Sequence, residues 1–345
     1  MAERTLDFDE LGALSTGQWV GELKRVGYYP ALPVVAACRG LFRRRLSGMD
    51  GAQAMLLEGA PGVGKTYLGE SLARLTGGTT KIFQFHAWAD SSDLFAGVNV
   101  QAAVAGNSKE TLQLGVLAQV ARLTTGQPRE TPLVKGERSS GGRQVILILD
   151  EIDKAPERVE ALLLDWLQSG RVPIAPGRHL YTDLSNVIVA ITSNDMRPLT
   201  DAFMRRVRRV QVPELPDTIQ VEVLNLKTKF NSVWLTMMLK ELLALAKENG
   251  SILSLQESEA ALREIADLDV PLTLASASDQ TPLLILELEF VLRGWVLRSA
   301  DGSSPRTTAT RIAKILASGK ISHKSPRDLS RDIRRTSTPS NRNIT

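Results

Sequence analysis

The sequence predicts an α/β fold, with a mainly parallel sheet flanked by helices and a smaller helical domain after it. Three observations predict this. Short apolar runs at 54–59, 81–88, 145–149 and 186–195 alternate with amphipathic stretches up to about residue 217, and strands separated by helices pair in parallel and are covered on both faces. Beyond that point only helical periodicity continues. Between the first of these strands and the helix after it lies "GAPGVGKT", Gly59 to Thr66, a glycine-rich strand-to-helix loop.

The elements follow in order. Residues 1–25 read as a short lead-in. "ALPVVAACRGLFRRRL", 31–46, reads as an amphipathic helix with a basic end. Residues 54–59 form an apolar strand stopped by glycine, and a helix from about Lys65 buries Leu68, Leu72 and Leu75 on one face. "KIFQFHAW", 81–88, alternates as a strand, with Ile82 on the face opposite Phe83 and Phe85. A helix is expected over about 109–122 and an exposed loop over 124–142, which is rich in Gly, Ser and Pro. Val145 to Leu149 is a buried strand. Glu157 to Ser169 is a helix with the stripe Val159, Leu162, Leu163, Trp166 and Leu167, and Pro156 in its first turn. Residues 170–180 read as a hairpin or loop excursion, and 186–195 as a strand with a polar end. The domains expected are the lead-in 1–25, an α/β domain 26–217 and a helical domain 218–335, with 336–345 disordered.

Composition narrows the function classes. Of 345 residues 43% are hydrophobic and 23% charged, and 42 Lys and Arg against 38 acids leave a net charge of +4, too mild to argue for nucleic acid. The bases do cluster, at Arg43–Arg45 and Arg205–Arg209. Cys38 is the only cysteine, which excludes an internal disulfide, and His86, His179 and His323 are too scattered for a histidine zinc site. The acidic start "MAERTLDFDELG" is no secretory signal, and the most apolar run carries Glu287 and Glu289, so a cytoplasmic protein is expected.

The chemistry rests on two stretches. Gly59, Ala60, Pro61, Gly62, Val63, Gly64, Lys65 and Thr66 fit G-x-x-x-x-G-K-[ST], with Tyr67 next in the helix. Glycines allow a tight turn whose N–H groups face a polyphosphate at a helix N-terminus. Lys65 reaches the β and γ phosphates and the Thr66 hydroxyl ligates magnesium. "VILILDEIDKAP", 145–156, ends a buried strand in Asp150, Glu151 and Asp153. Carboxylates there need a positive partner. Magnesium bound with a nucleotide supplies it: Asp150 holds the ion through water and Glu151 polarises the attacking water. Asp153 either caps the following helix or pairs with Lys154 on the surface. The Asp–Glu pair points to water attack rather than transfer to an acceptor hydroxyl.

Together these stretches resemble the AAA+ ATPases, and within them the MoxR-like group: "GAPGVGKT" looks like Walker A and "VILILDE" like Walker B. "AITSND" resembles the sensor 1 strand, which implies Asn194 beside the lytic water. "LTDAFMRRVRRVQVPELPD" resembles the arginine-finger segment, with Arg205 the best match and Arg206 next. "GSSPRTTATRIAKILA" resembles the sensor 2 entry of the lid and implies Arg306 on the γ-phosphate, although Ser325 to Arg327 repeats Ser-Pro-Arg. The resemblance implies ATP and Mg2+ as cofactors, a homo-oligomeric ring, expected to be a hexamer, and remodelling of a partner protein, for some relatives one with a von Willebrand A domain. Rival readings are an ATPase acting on nucleic acid, as in a restriction or defence system, and a nucleotide-binding assembly protein with weak turnover. His86 and Trp88 either line a pore or are buried.

Overall fold

A computed structural model describes residues 4–47, 51–99, 101, 104, 112–133, 137, 139–228, 230–268, 281–297 and 305–317. The chain divides into two compact units between Glu214 and Leu215.

The first unit begins with helices α1 (Phe8–Ala13), α2 (Thr16–Arg25) and α3 (Leu32–Leu46). The stretch read as a lead-in is therefore packed structure. Asp7 and Ser15 start the first two helices with capping boxes completed by Glu10 and Gln18. Phe8, Leu11, Trp19 and Leu23 are buried in one cluster with Leu41 and Phe42 of α3, and Trp19 Nε1 donates to Leu11 O at 3.1 Å. Helices of 6 and 10 residues are too short to display a full apolar period, which hides them in the sequence.

The chain continues as β1 (Gln53–Glu58), α4 (Lys65–Thr76), β2 (Thr79–Gln84), α5 (Ser91–Leu94), β3 (Ala96–Val98), β4 (Leu112–Leu114) and α6 (Val116–Thr125). It then forms β5 (Val145–Asp150), α7 (Glu157–Ser169), β6 (Arg171–Ala175), β7 (Arg178–Tyr181), β8 (Val187–Ser193), α8 (Asp201–Met204) and β9 (Arg208–Gln211). Five strands make one parallel sheet in the order β2-β5-β8-β1-β9. Alternate residues feed opposite cores. Val145, Leu147 and Leu149 face α6 and α7, while Ile146 and Ile148 face α3 and α4. The register sets Gln84 beside Asp150 and Leu57 beside Thr192, so β1, β2, β5 and β8 all end at one edge, where open α/β sheets carry their sites.

Four expectations change in detail. The helix expected at 109–122 runs Val116–Thr125 and is preceded by β4, which pairs antiparallel with β3. Gly115 marks the change, since a Cβ there would sit 2.5 Å from Asp93 O. The expected exposed loop begins later and is tied down: Tyr181 N donates to Arg129 O at 2.9 Å and Ser139 N to Asp183 Oδ2 at 2.8 Å. Pro156 is the N-cap of α7 rather than part of its first turn, and Leu162 is only half-buried. The excursion at 170–180 is the antiparallel pair β6–β7.

The second unit is helical: α9 (Asp217–Thr228), α10 (Ser232–Glu248), α11 (Leu255–Asp267), α12 (Thr281–Trp295) and α13 (Arg306–Ala317). Its core joins Trp234, Met238, Leu242, Leu262, Leu288 and Ile312. Among the described residues no helix is long and apolar enough to cross a membrane. The expected disordered tail 336–345 and Arg327 lie outside the described residues.

Replacing Trp19 by Ala should cost roughly 3–5 kcal/mol of unfolding free energy, as for a large aromatic deleted from a core. Urea denaturation of the full chain measures this; an unchanged midpoint would mean that the first two helices do not belong to the folded unit.

Candidate functional site

The loop between β1 and α4 folds as its glycines dictate. Gly59 has φ +148°, and a Cβ on it would lie 2.6 Å from Val212 O, where Val212 N donates to Glu58 O at 2.8 Å. Gly64 has φ +93° and caps α4 in the left-handed region, a conformation other residues reach only at a cost. Pro61 and Gly62 are exposed at the loop tip, and Ala60 and Val63 are half-buried. Lys65 is buried and its Nζ donates to Gly59 O and Ala60 O, each at 2.8 Å. Burial pushes its pKa down, against the pull of Asp153, Asp150 and Glu151. Tyr67 packs under the Arg74 guanidinium, 4.7 Å from its ring centroid.

The acidic cluster meets this loop. Thr66 Oγ1 donates to Asp150 Oδ1 at 2.7 Å, and Thr192 Oγ1 donates to the same oxygen at 2.6 Å. Thr192 in turn accepts from Glu151 N at 2.9 Å. Glu151 stands at φ +57° and ψ +51°, a left-handed conformation that costs a non-glycine residue about 1–3 kcal/mol. That turn directs its side chain to three donors: Asn194 Nδ2 at 3.1 Å on Oε1, and Gln84 Nε2 and Lys154 Nζ at 2.7 Å each on Oε2. Burial opposes its charge, but the bonds from Lys154 and Gln84, the Lys154 charge and the Asn194 bond outweigh it and hold its carboxyl below the ordinary range.

Asp153 departs from the sequence reading. It neither caps the helix nor pairs with Lys154 at the surface. It is buried, and its Oδ2 accepts from Asn194 N at 3.1 Å and Met196 N at 3.0 Å. Lys154 belongs to Glu151 instead. Asp153 thereby holds the turn after β8, in which Asp195 is left-handed at φ +60°. Thr192 and Gln84 are site residues that sequence reading missed. Their signal is modest: a hydroxyl within the apolar run of β8, and an amide at the end of β2 beside the acidic strand.

The other expected residues are placed as follows. Arg205 caps the short helix α8, and Arg206 follows it; both are exposed, and their guanidinium groups have no hydrogen bond or ion pair among the described residues. Arg306 starts α13 in the second unit, with its guanidinium exposed and 3.9 Å from Glu289. Trp88 is exposed and lies 5.2 Å from the half-buried His86 ring. Among the described residues no group of three or more His, Cys, Asp or Glu forms a metal cage.

Residues 54–207 match the family model described as an AAA domain of the dynein-related subfamily. A Lon protease from Halothermothrix orenii is 26% identical over 187 residues, which cover 52% of this chain and 21% of that protein. The chain thus spans about a fifth of this curated relative. Among solved structures, a RuvB mutant from Thermotoga maritima aligns with a TM-score of 0.42 and 14% identity, over 76% of this chain and 66% of that one.

Changing Asp153 to Ala should lower unfolding free energy by roughly 2–4 kcal/mol, since two backbone N–H groups lose their acceptor. Asp153→Asn keeps an oxygen there and should lose less. Denaturant titration separates the two; equal losses would mean that the hydrogen bonds are not what Asp153 contributes.

Proposed function

From the AAA+ ATPase-like domain matched at residues 54–207, we propose that the chain is a magnesium-dependent ATPase that works as an oligomeric ring and remodels a partner protein. The observation that carries the reading is the meeting of Thr66 and Asp150 at 2.7 Å. It sets a hydroxyl and a carboxylate beside a glycine loop at a helix N-terminus, the donor set that holds magnesium together with phosphate oxygens. When bound, the ion neutralises charge on the β and γ phosphates.

The chain's own residues divide the remaining work. Lys65 leaves the carbonyls of Gly59 and Ala60 to bind phosphate oxygens. Glu151 accepts the proton of the attacking water, after exchanging one of its three donors for that water. Asn194, whose backbone is fixed by Asp153, orients it. Arg205 acts on nucleotide held by a neighbouring subunit; its exposure and its lack of an ionic partner among the described residues support a counter-charge from outside the subunit. Arg306 reads the γ-phosphate from the lid. Loss of that phosphate releases both arginines and converts hydrolysis into subunit movement. A MoxR-like remodelling role and a hexamer complete the proposal.

Two experiments test it. Glu151→Gln should cut phosphate release roughly 100-fold or more while fluorescent ATP still binds, and Lys65→Ala should abolish that binding; undiminished release by Glu151→Gln sinks the catalytic assignment. Mixing Arg205→Ala subunits with Lys65→Ala subunits should restore part of the activity that each lacks alone. A mixture no more active than its components refutes action between subunits.

A further inference from the structure

Two arginine runs are not absorbed by the phosphate chemistry, and the fold brings them together where α3 lies along β9. Two of their members are neutralised. Arg45 is buried and pairs with Asp9. Arg209 forks onto Glu58 at 3.0 and 3.1 Å. Arg44 and Arg208, which meet where α3 crosses β9, are not. The Arg208 guanidinium lies over Gly40, one turn before Arg44; a Cβ at Gly40 would be 2.7 Å from its Nη1. Arg44 Nε is buried with no hydrogen-bond partner. Neither arginine has a hydrogen bond or ion pair among the described residues. Burial and the Arg208 charge both push the Arg44 pKa down, with no carboxylate opposing them. Two like charges, one partly desolvated, are unfavourable until an anion joins them.

A groove of about 340 Å³ opens beside Arg208, lined by Pro33 and Ala37 of α3, by Arg208, Arg209 and Gln211 of β9, and by Pro213. Among the described residues β9 is an edge strand that pairs only with β1. Because Val212 N donates to Glu58 O, the peptide groups of Arg209 and Gln211 turn to the open side of the edge, as alternate residues of a strand do. Such an edge can take up a further strand.

We propose that this groove binds an acidic, extended segment of a partner protein, whose main chain pairs with the open edge of β9 and whose carboxylates sit on Arg44 and Arg208. The main-chain edge and the apolar Pro33, Ala37 and Pro213 fit a polypeptide. A nucleic-acid backbone asks instead for a row of cations, whereas of the two arginines that line this groove Arg209 already pairs with Glu58. The inference stands apart from the ATPase reading.

The test is fluorescence anisotropy on the full chain. The probes are a labelled peptide alternating glutamate and threonine, a neutral peptide alternating glutamine and threonine, and oligo-thymidylate. The acidic peptide should bind at least roughly tenfold more tightly than the neutral one. Arg44→Ala and Arg208→Ala should each weaken it roughly tenfold, as for a lost charge-assisted pair, whereas Arg122→Ala, on α6, should not. Arg44→Gln and Arg208→Gln, chosen for melting temperatures equal to the parent, should weaken it likewise and exclude misfolding as the cause. The proposal is overturned if both peptides bind alike, if Arg122→Ala weakens binding as much as Arg44→Ala, if the Arg44 and Arg208 variants bind normally, or if oligo-thymidylate outcompetes the acidic peptide.

Discussion

The structure around the site depends on one carboxylate oxygen. Asp150 Oδ1 accepts from Thr66 on α4 and from Thr192 on β8, so it joins the helix after the glycine loop to two neighbouring strands. A carboxylate at the end of a buried strand must be compensated, and two short hydroxyl bonds do this within the chain. Thr192 then passes the constraint on by accepting from Glu151 N. Each bond in such a chain polarises the next. The left-handed turn at Glu151 is held by this relay, and it gives two adjacent acids different surroundings. Asp150 faces the loop hydroxyl, while Glu151 faces amides and an ammonium.

The same relay explains the distribution of charge. Lys65 lies within the field of Asp150, Glu151 and Asp153, yet its ammonium is spent on two loop carbonyls. Neutral acceptors bind a cation less strongly than ionised ones, so phosphate oxygens can compete for it. Glu151 is in the opposite position. Both its oxygens are engaged, one by a full positive charge, and a base so held is a poor acceptor for a water proton. The proposed ATPase reaction therefore asks for two exchanges, a carbonyl-bound lysine for a phosphate-bound one and a donor on Glu151 for a water. Both use residues that are already within hydrogen-bond reach.

Much of this is visible in the sequence because it depends on local spacing. The loop Gly59–Thr66, the strand ending in Asp150 and the stripe of α7 each follow from a period or a motif within a dozen residues. The parallel sheet follows from their alternation. What sequence hides is long-range. Thr192 and Gln84 matter through register, which sets Gln84 beside Asp150, and a single hydroxyl or amide announces no partner. Asp153 looks like a surface acid because Lys154 follows it. Its true partners are the N–H groups of the turn after β8, about 40 residues on, and nothing local reveals them. The first two helices are hidden for another reason: each is shorter than the window that periodicity needs, and their stability lies in contacts with α3.

The arginine runs show how far composition can mislead. Counted along the chain, they suggest one diffuse basic surface. In the fold each residue has its own fate, decided by which side of an element it falls on. Arg45 turns inward to Asp9, and Arg209, on the opposite face of β9 from Val210, finds Glu58. Their sequence neighbours Arg44 and Arg208 pair with no described acid, and Arg208 lines the groove beside β9. A net charge of +4 therefore says little about partners. The informative quantity is how many cations remain after internal pairing and what geometry surrounds them. At this edge the answer is two, beside a strand with open peptide groups, and that combination is more selective than charge alone because it asks its partner for both a carboxylate and an extended main chain.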